Sequence, residues 1–537
     1  MTEIVMSQTP PMLHGPSEKE RKYDRQLRLW AASGQAALES ANLLLLNSGA
    51  GTVGIESLKN LVLPGIGQFT IVDNSVVNEA DLGVNFFLDD SCLGKSRAQC
   101  CAELLLELNP EVQGDWFPKK EGDVALEAFL ATSPIFTLIM YSHPIRQEDL
   151  AVIEAYGKQH KTPLVAIHSA GFYSYFRISL PGAFPIVDTH PDETATTDLR
   201  LLNPWPELTD FARELTEDID SLDNHLHGHL PFIAILLHYL GLWKESHDGQ
   251  YPSSYAEKTA FRRLVQEGAR RDNPEGGEEN FDEAVAAVLK TIVPCSLPPS
   301  LKEVFDHPHM SPEEQKSGFW VIADAVKQFF EQHKCLPLPG SVPDMKAQSS
   351  VYIKLQSIYK AKARQDFDEV LKIVQAAPGG RDVDAAEVEL FCKNAAFVKL
   401  INATGGPRNT TVSADQLAKV ATEQLANDEN AALLAMPLSL MPIYLALQAT
   451  SHVAMASAEE ILASIEKILP GAGQDNRVVQ AAREVARAGG GELHNISALT
   501  GGMVAQEMIK IITKQYIPID NTCIFDGIGS RCQVLHL

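Results

Sequence analysis

The pattern of apolar and polar positions changes character twice along this chain. From Tyr23 to about Ile178, short apolar runs alternate with segments whose apolar residues recur at helical spacing. Such alternation describes a mostly parallel sheet covered on both faces by helices. The runs Asn42 to Asn47, Gln68 to Asp73, Ile135 to Tyr141 and Pro163 to Ile167 are predicted strands. Between the second and third, Lys95 to Leu108 has helical spacing and is stopped by Asn109-Pro110, which predicts a crossover helix. Pro204-Trp205-Pro206 then marks a change, and helical patterns dominate to about residue 490, among them Pro231 to Lys244, Phe319 to His333 and Ser457 to Leu469. The charged, glycine-containing stretch Ala269 to Asn280 reads as a solvated loop. The last part begins with a helix, Ser497 to Lys514, and continues with strand candidates around Tyr516 and Ile524. Its small residues Gly501, Gly502 and Ala505 permit close packing, so this helix is expected back on the first sheet. The predicted organisation is a flexible tail over 1–18, a Rossmann-like α/β domain over 19–204 and 491–537, and a long, mainly helical insertion over 205–490.

Chemistry concentrates between Leu43 and Asp73, where an apolar strand, a glycine loop, a helix and a second strand ending in an acid follow one another. Gly49, Gly51 and Gly54 form G-x-G-x-x-G, which suits a tight turn, close approach to a phosphate and close helix–strand packing. Asp73 stands where a ribose hydroxyl would be bound. On these residues alone, a dinucleotide oxidoreductase, another nucleotide binder and a purely structural turn all remain open.

Composition narrows the partners. With 45 basic against 69 acidic side chains the net charge is −24, a field that repels phosphate backbones and anionic lipid surfaces. Nucleic-acid and membrane roles are therefore disfavoured. The 8 cysteines contain no C-x-x-C pair and no regular spacing, which argues against a zinc site or disulfide framework. No segment provides the ~18 uninterrupted apolar residues of a membrane span, and the first residues lack a basic start and an apolar core. The expected setting is a reducing compartment, cytosolic or nuclear. His225, His227 and His229 alternate without the i, i+4 spacing of helical metal ligands, so no metal site is expected there.

Three blocks in combination carry a family resemblance: Tyr23-Asp24-Arg25-Gln26-Leu27-Arg28-Leu29-Trp30, Leu58 to Gly67 (LKNLVLPGIG) and Gly501 to Lys510 (GGMVAQEMIK). They resemble the ubiquitin-like modifier activating enzymes. That resemblance implies an adenylation fold working as a pair of related halves, one catalytic and one silent. In active halves the strand ending in Asp73 continues D-x-D, then N-L-x-R-Q-F, then G-K-x-K, and a further aspartate after the next strand positions magnesium. Here the corresponding residues are Asp73-Asn74-Ser75, Asp81 to Phe86 (DLGVNF) and Gly94-Lys95-Ser96-Arg97, and Met140 to His143 contains no carboxylate. Carboxylate adenylation gathers negative charge on phosphate oxygens and relies on Mg²⁺ and cations aimed at them. Without that acid, and with Val84 where the active pattern has arginine, the chain resembles the silent half. Lys95 and Arg97 then read as solvated cations at a helix start.

Over residues 20 to 537 the order of features resembles the regulatory subunits of the neddylation branch, with further likeness at Val84 to Leu88, His190 to Arg200 and Ser341 to Ser357. The resemblance implies a heterodimer with a catalytic subunit, Mg-ATP held by that partner, and a ubiquitin-like modifier and a conjugating enzyme as further partners. It places Arg25 in trans on the partner's ATP phosphates, a task suited to a permanently charged guanidinium. From spacing alone, Asp24, Arg25 and Arg28 equally suit surface ion pairs on a helix. The resemblance also puts His229, Asp344, Tyr352 and Ser357 toward the partner. Cys295, in Pro294-Cys295-Ser296, resembles the setting of the thioester cysteine, which would make the chain a self-sufficient adenylating enzyme; a cysteine in a proline-rich connector is more simply structural. Two further readings stay open, an NAD-dependent oxidoreductase and a scaffold with no part in activation.

Overall fold

The computed structural model describes residues 15–120, 125–192, 198–271, 277–310, 318–402 and 412–537. Its strands are β1 (Asn42–Leu46), β2 (Gln68–Val72), β3 (Gln113–Phe117), β4 (Leu138–Ser142), β5 (Leu164–Ala170), β6 (Tyr173–Ser179), β7 (Phe184–Val187), β8 (Val398–Ile401), β9 (Thr522–Asp526) and β10 (Arg531–Leu535). The main sheet has the order β10-β9-β6-β5-β4-β1-β2-β3, while β7 and β8 pair with each other. Strands β1 to β5 run parallel, and β6, β9 and β10 complete the sheet antiparallel. Every residue of β1, β4, β5 and β6 is buried, as continuous apolar strands covered on both faces require.

The predicted strands form with shifts of one to three residues, and the crossover helix forms as Arg97–Leu108, capped by Ser96. Tyr516 does not start a strand. Lys514 ends the preceding helix in the left-handed conformation, and the Tyr516 hydroxyl turns back to the Leu29 carbonyl at 3.0 Å. The predicted tail lies mostly outside the described residues; at its end, Ser17 caps a short helix, Glu18–Lys22. Part of the loop predicted at 269–280 also lies outside them.

Two compact units divide the chain: residues 1–184 with 401–537, and residues 185–400. These boundaries differ from the expected 205 and 490, for reasons that lie in packing. Trp205 opens a helix, Pro206–Thr216, and is buried in the core of the second unit beside Leu208, Phe211 and Tyr359. Residues 412–488 are helical as expected, yet they belong to the first unit. Leu417, Met441, Tyr444, Ile461 and Val485 pack with Tyr173, Tyr175 and Ile524 of β6 and β9. The second unit is otherwise a set of helices around Phe232, Ile233, Leu236, Phe261, Phe281 and Tyr359, flanked by the long helix Ser349–Ala376. No described helix is long and apolar enough to cross a membrane.

Candidate functional site

The three sequence blocks that resemble one family converge on one helix, Thr52–Val62, which follows the glycine turn. Tyr23 is buried; its hydroxyl donates to Glu111 at 3.1 Å and accepts from the Asn109 side chain at 3.0 Å, and the same Asn109 amide reaches the Val62 carbonyl. A Cβ on Gly65, whose φ is +85°, would lie 2.6 Å from the Tyr23 hydroxyl, so Tyr23 and the Leu-Pro-Gly-Ile-Gly run need each other. On the other side of the helix, a Cβ on Gly501 would come within 2.8 Å of the Glu56 and Ser57 backbone. The expected return of Ser497–Lys514 to the first sheet is thus realised by His494–Thr513 packed on Thr52–Val62.

Arg25 stands beside this anchor. The helix Asp24–Ser40 is broken at Trp30 and Ala31, the latter at φ 55°, which leaves Asp24 to Leu29 as a separate short turn of helix. Arg28 pairs with Asp24 at 2.9 Å. Arg25 is exposed and has no hydrogen-bond or ion-pair partner among the described residues, so the expected alternative of a local ion pair applies to Arg28 and not to Arg25.

The glycine turn has the geometry its spacing implies. Gly49 and Gly51 take φ +61° and +68°, a region costly for other residues, and a Cβ on Gly54 would lie 3.0 Å from Leu45 of β1. A crevice of about 220 Å³ opens at the carboxyl ends of β1, β2 and β4, lined by Asn47, Ser48, Gly49, Asp73, Ser75, Pro144 and Arg146. This is where open parallel sheets hold ligands. The groups a nucleotide would use are, however, occupied by the chain itself. Asp73, placed for a ribose, accepts from Asn47 at 2.9 Å and from the Ser75 amide at 2.9 Å, and takes the Arg97 Nε at 2.8 Å.

Arg97 corrects the sequence reading. It is no solvated cation: its side chain is 3 % exposed, and Nη1 bonds Asp81 at 3.0 Å and the Ala50 carbonyl at 3.2 Å. Burial pulls its pKa down, but Asp73 and Asp81 more than offset this and hold the guanidinium above its ordinary value. Lys95 is the exposed one of the pair. At the place expected to lack a magnesium-positioning acid, the Ser142 hydroxyl accepts from the Ser48 amide at 2.8 Å. The Val53 amide, at the start of Thr52–Val62, is also taken. Glu492, buried, accepts from Val53 N at 2.8 Å and from the Ser497 hydroxyl at 2.6 Å. Burial raises its pKa, while Ser497, the Val53 amide, Arg97 and the Gly51 amide pull it back. Sequence reasoning missed Arg97 and Glu492 as partners of this site, because their targets lie in other elements.

In the second unit, Cys295 lines a pocket of about 370 Å³ with Lys290, Pro294, Pro298, Pro337 and Cys392. Burial and the neighbouring Asp198 push its thiol up to about 11, the opposite of what a nucleophile needs. The segments expected toward a partner do meet: the Gln348 amide, at the start of Ser349–Ala376, donates to the His229 carbonyl at 3.3 Å. Asp344 and Ser357 are exposed, and Tyr352 is half-buried with its hydroxyl 3.4 Å from the Val342 carbonyl. Of the alternating histidines, His227 is buried against Glu278 at 2.8 Å, while the His229 ring bonds the His225 carbonyl at 2.7 Å.

Comparison with known proteins covers nearly the whole chain. The ThiF family model matches residues 23–537. The NEDD8-activating enzyme E1 regulatory subunit of Gallus gallus is 35% identical, over 97% of this chain and 99% of the relative. Its counterpart of that name in Drosophila melanogaster is 36% identical over 99% and 100%, and the regulatory subunit AXR1 of Arabidopsis thaliana 32% over 97% and 97%. The chain belongs to the ThiF family and groups within it with the NEDD8-activating enzyme E1 regulatory subunits.

Proposed function

We propose that this chain is the noncatalytic half of a heterodimer that activates a ubiquitin-like modifier of the neddylation type. The partner subunit holds Mg-ATP, adenylates the modifier's terminal carboxylate and carries the thioester on its own cysteine before transfer to a conjugating enzyme. This chain contributes Arg25, directed in trans at the ATP phosphates, together with a surface that includes His229, Asp344, Tyr352 and Ser357. The observation that carries the reading is the contrast between two arginines: Arg97 is consumed inside the chain's own crevice, whereas Arg25 is exposed and unpaired among the described residues. The names of the relatives support a regulatory subunit with a catalytic partner. The elevated thiol pKa weighs against a self-sufficient enzyme built on Cys295.

The test is Arg25→Ala in the reconstituted heterodimer, followed by ATP–pyrophosphate exchange and thioester formation. A preorganised cation lost from a developing phosphate charge is expected to lower the rate by about 10²–10³-fold. Arg25→Lys restores only part of it, since an ammonium lacks the planar two-pronged contact. Rates unchanged in Arg25→Ala sink the trans-arginine role.

A further inference from the structure

The amides at the start of Thr52–Val62 form the part of a Rossmann-like fold that ordinarily cradles a phosphate, because unpaired N–H groups and the helix dipole favour an anion there. In this chain a carboxyl group already occupies that position. The Glu492 carboxylate, 6 % exposed, is held at 2.8 Å by Val53 N and fixed from behind by Ser497 at 2.6 Å. Its backbone is tied down separately by a bridge to Gly171. Two more observations bear on the cradle. The hydroxyl of Thr52, the residue between Gly51 and Val53, is buried and has no hydrogen-bond partner among the described residues. Arg97, whose guanidinium bonds the Ala50 carbonyl of the same turn, adds a positive field felt at Glu492.

We propose that the Glu492 side chain is a built-in occupant that permanently fills the glycine-turn cradle, and that removing its carboxyl group uncovers a binding site for a phosphate-class oxyanion. The glycine turn has thus kept its anion-binding geometry but has been given an intramolecular occupant. Together with Arg97 on Asp73, this closes the half-site to nucleotide from both ends: one acidic side chain where phosphate would lie, one basic side chain where ribose would be bound. The inference concerns this chain alone and stands whether or not Arg25 acts on a partner.

The experiment uses the full chain. Thermal unfolding of wild type and Glu492→Ala is followed in potassium phosphate and in potassium chloride of equal ionic strength, so that the general salting effect of phosphate appears in both proteins and cancels. In chloride the alanine chain is expected to melt lower. Phosphate is expected to restore it in a saturable way, with a Tm gain several times that of the wild type, whose cradle is full. Equal gains in the two proteins overturn the proposal. Where the alanine chain does not fold, Ser497→Ala keeps the carboxylate and removes the bond that fixes it. Faster amide hydrogen exchange at Val53, slowed again by phosphate, then supports the proposal; exchange that is unchanged, or faster but indifferent to phosphate, overturns it. Neither readout involves Arg25 or a partner, so a failure here is separate from a failure of the trans-arginine reading.

Discussion

Arg97 and Asp73 are the two side chains whose roles depend most on what the fold brings to them. Read along the chain, Asp73 is a ribose acid and Arg97 a helix-start cation; in the folded molecule each is the other's ligand at 2.8 Å, with Asp81 completing the group. A buried pair of this kind is weak evidence for stability as such, but breaking it leaves two carboxylates uncompensated in a low-dielectric site. Arg97→Met is therefore expected to cost about 3–5 kcal/mol, read as a lowered denaturant midpoint of the first unit. An unchanged midpoint means that Asp73 and Asp81 find water or other donors. The glycines and Asp73 were legible because a turn and a strand end are local features. The partners were not, since nothing in Gly94-Lys95-Ser96-Arg97 says which cation turns inward.

At the scale of elements, the contact between His494–Thr513 and Thr52–Val62 rests on one glycine rather than two. Gly501 faces the Glu56 and Ser57 backbone, where a methyl group has no room, while Gly502 beside it meets nothing within 4 Å. Gly501→Ala is expected to destabilise the unit by about 1–3 kcal/mol through overpacking. Gly502→Ala is expected to stabilise it by about 0.5–1 kcal/mol, because alanine is the better helix former. Paired thermal melts decide this, and equal shifts in the two variants contradict the packing described. The return of this helix was readable from its run of small residues. Strand β3 was not, because Gln113–Phe117 is an edge strand with polar positions facing out and no apolar run to mark it.

For the molecule as a whole, two buried imidazoles tie stability to pH. His143, whose ring nitrogen bonds the Ser451 carbonyl at 2.9 Å, is held by burial at a pKa of about 4, and burial beside His143 drives His168 well below its ordinary value. Their folded-state values lie below the ordinary 6.5, so the unfolded chain takes up protons first as pH falls. Stability is thus complete above about pH 6.5 and is lost toward pH 4, by about 3 kcal/mol for His143 alone. Denaturant midpoints at pH 7 and pH 5 measure this, and coincident midpoints would show that the rings are not buried neutral. Domain boundaries were the least legible feature at this scale. Helical patterns dominate on both sides of residue 400, and only the packing of Met441 and Tyr444 on β6 and β9 shows that the later helices belong to the sheet.

The pairing of β6 with β9 also sets a timetable. Strand β6, buried along its whole length in the finished sheet, emerges at Tyr173, but its partner begins only at Thr522. At ordinary rates of synthesis of about 5–20 residues per second, the edge of β6 waits roughly 20–70 s for its neighbour. An unpaired apolar edge is a template for wrong pairing. The nascent chain therefore passes through a vulnerable interval on the ribosome that the completed protein no longer shows, and its yield in cells depends on how well that edge is shielded until the last residues arrive.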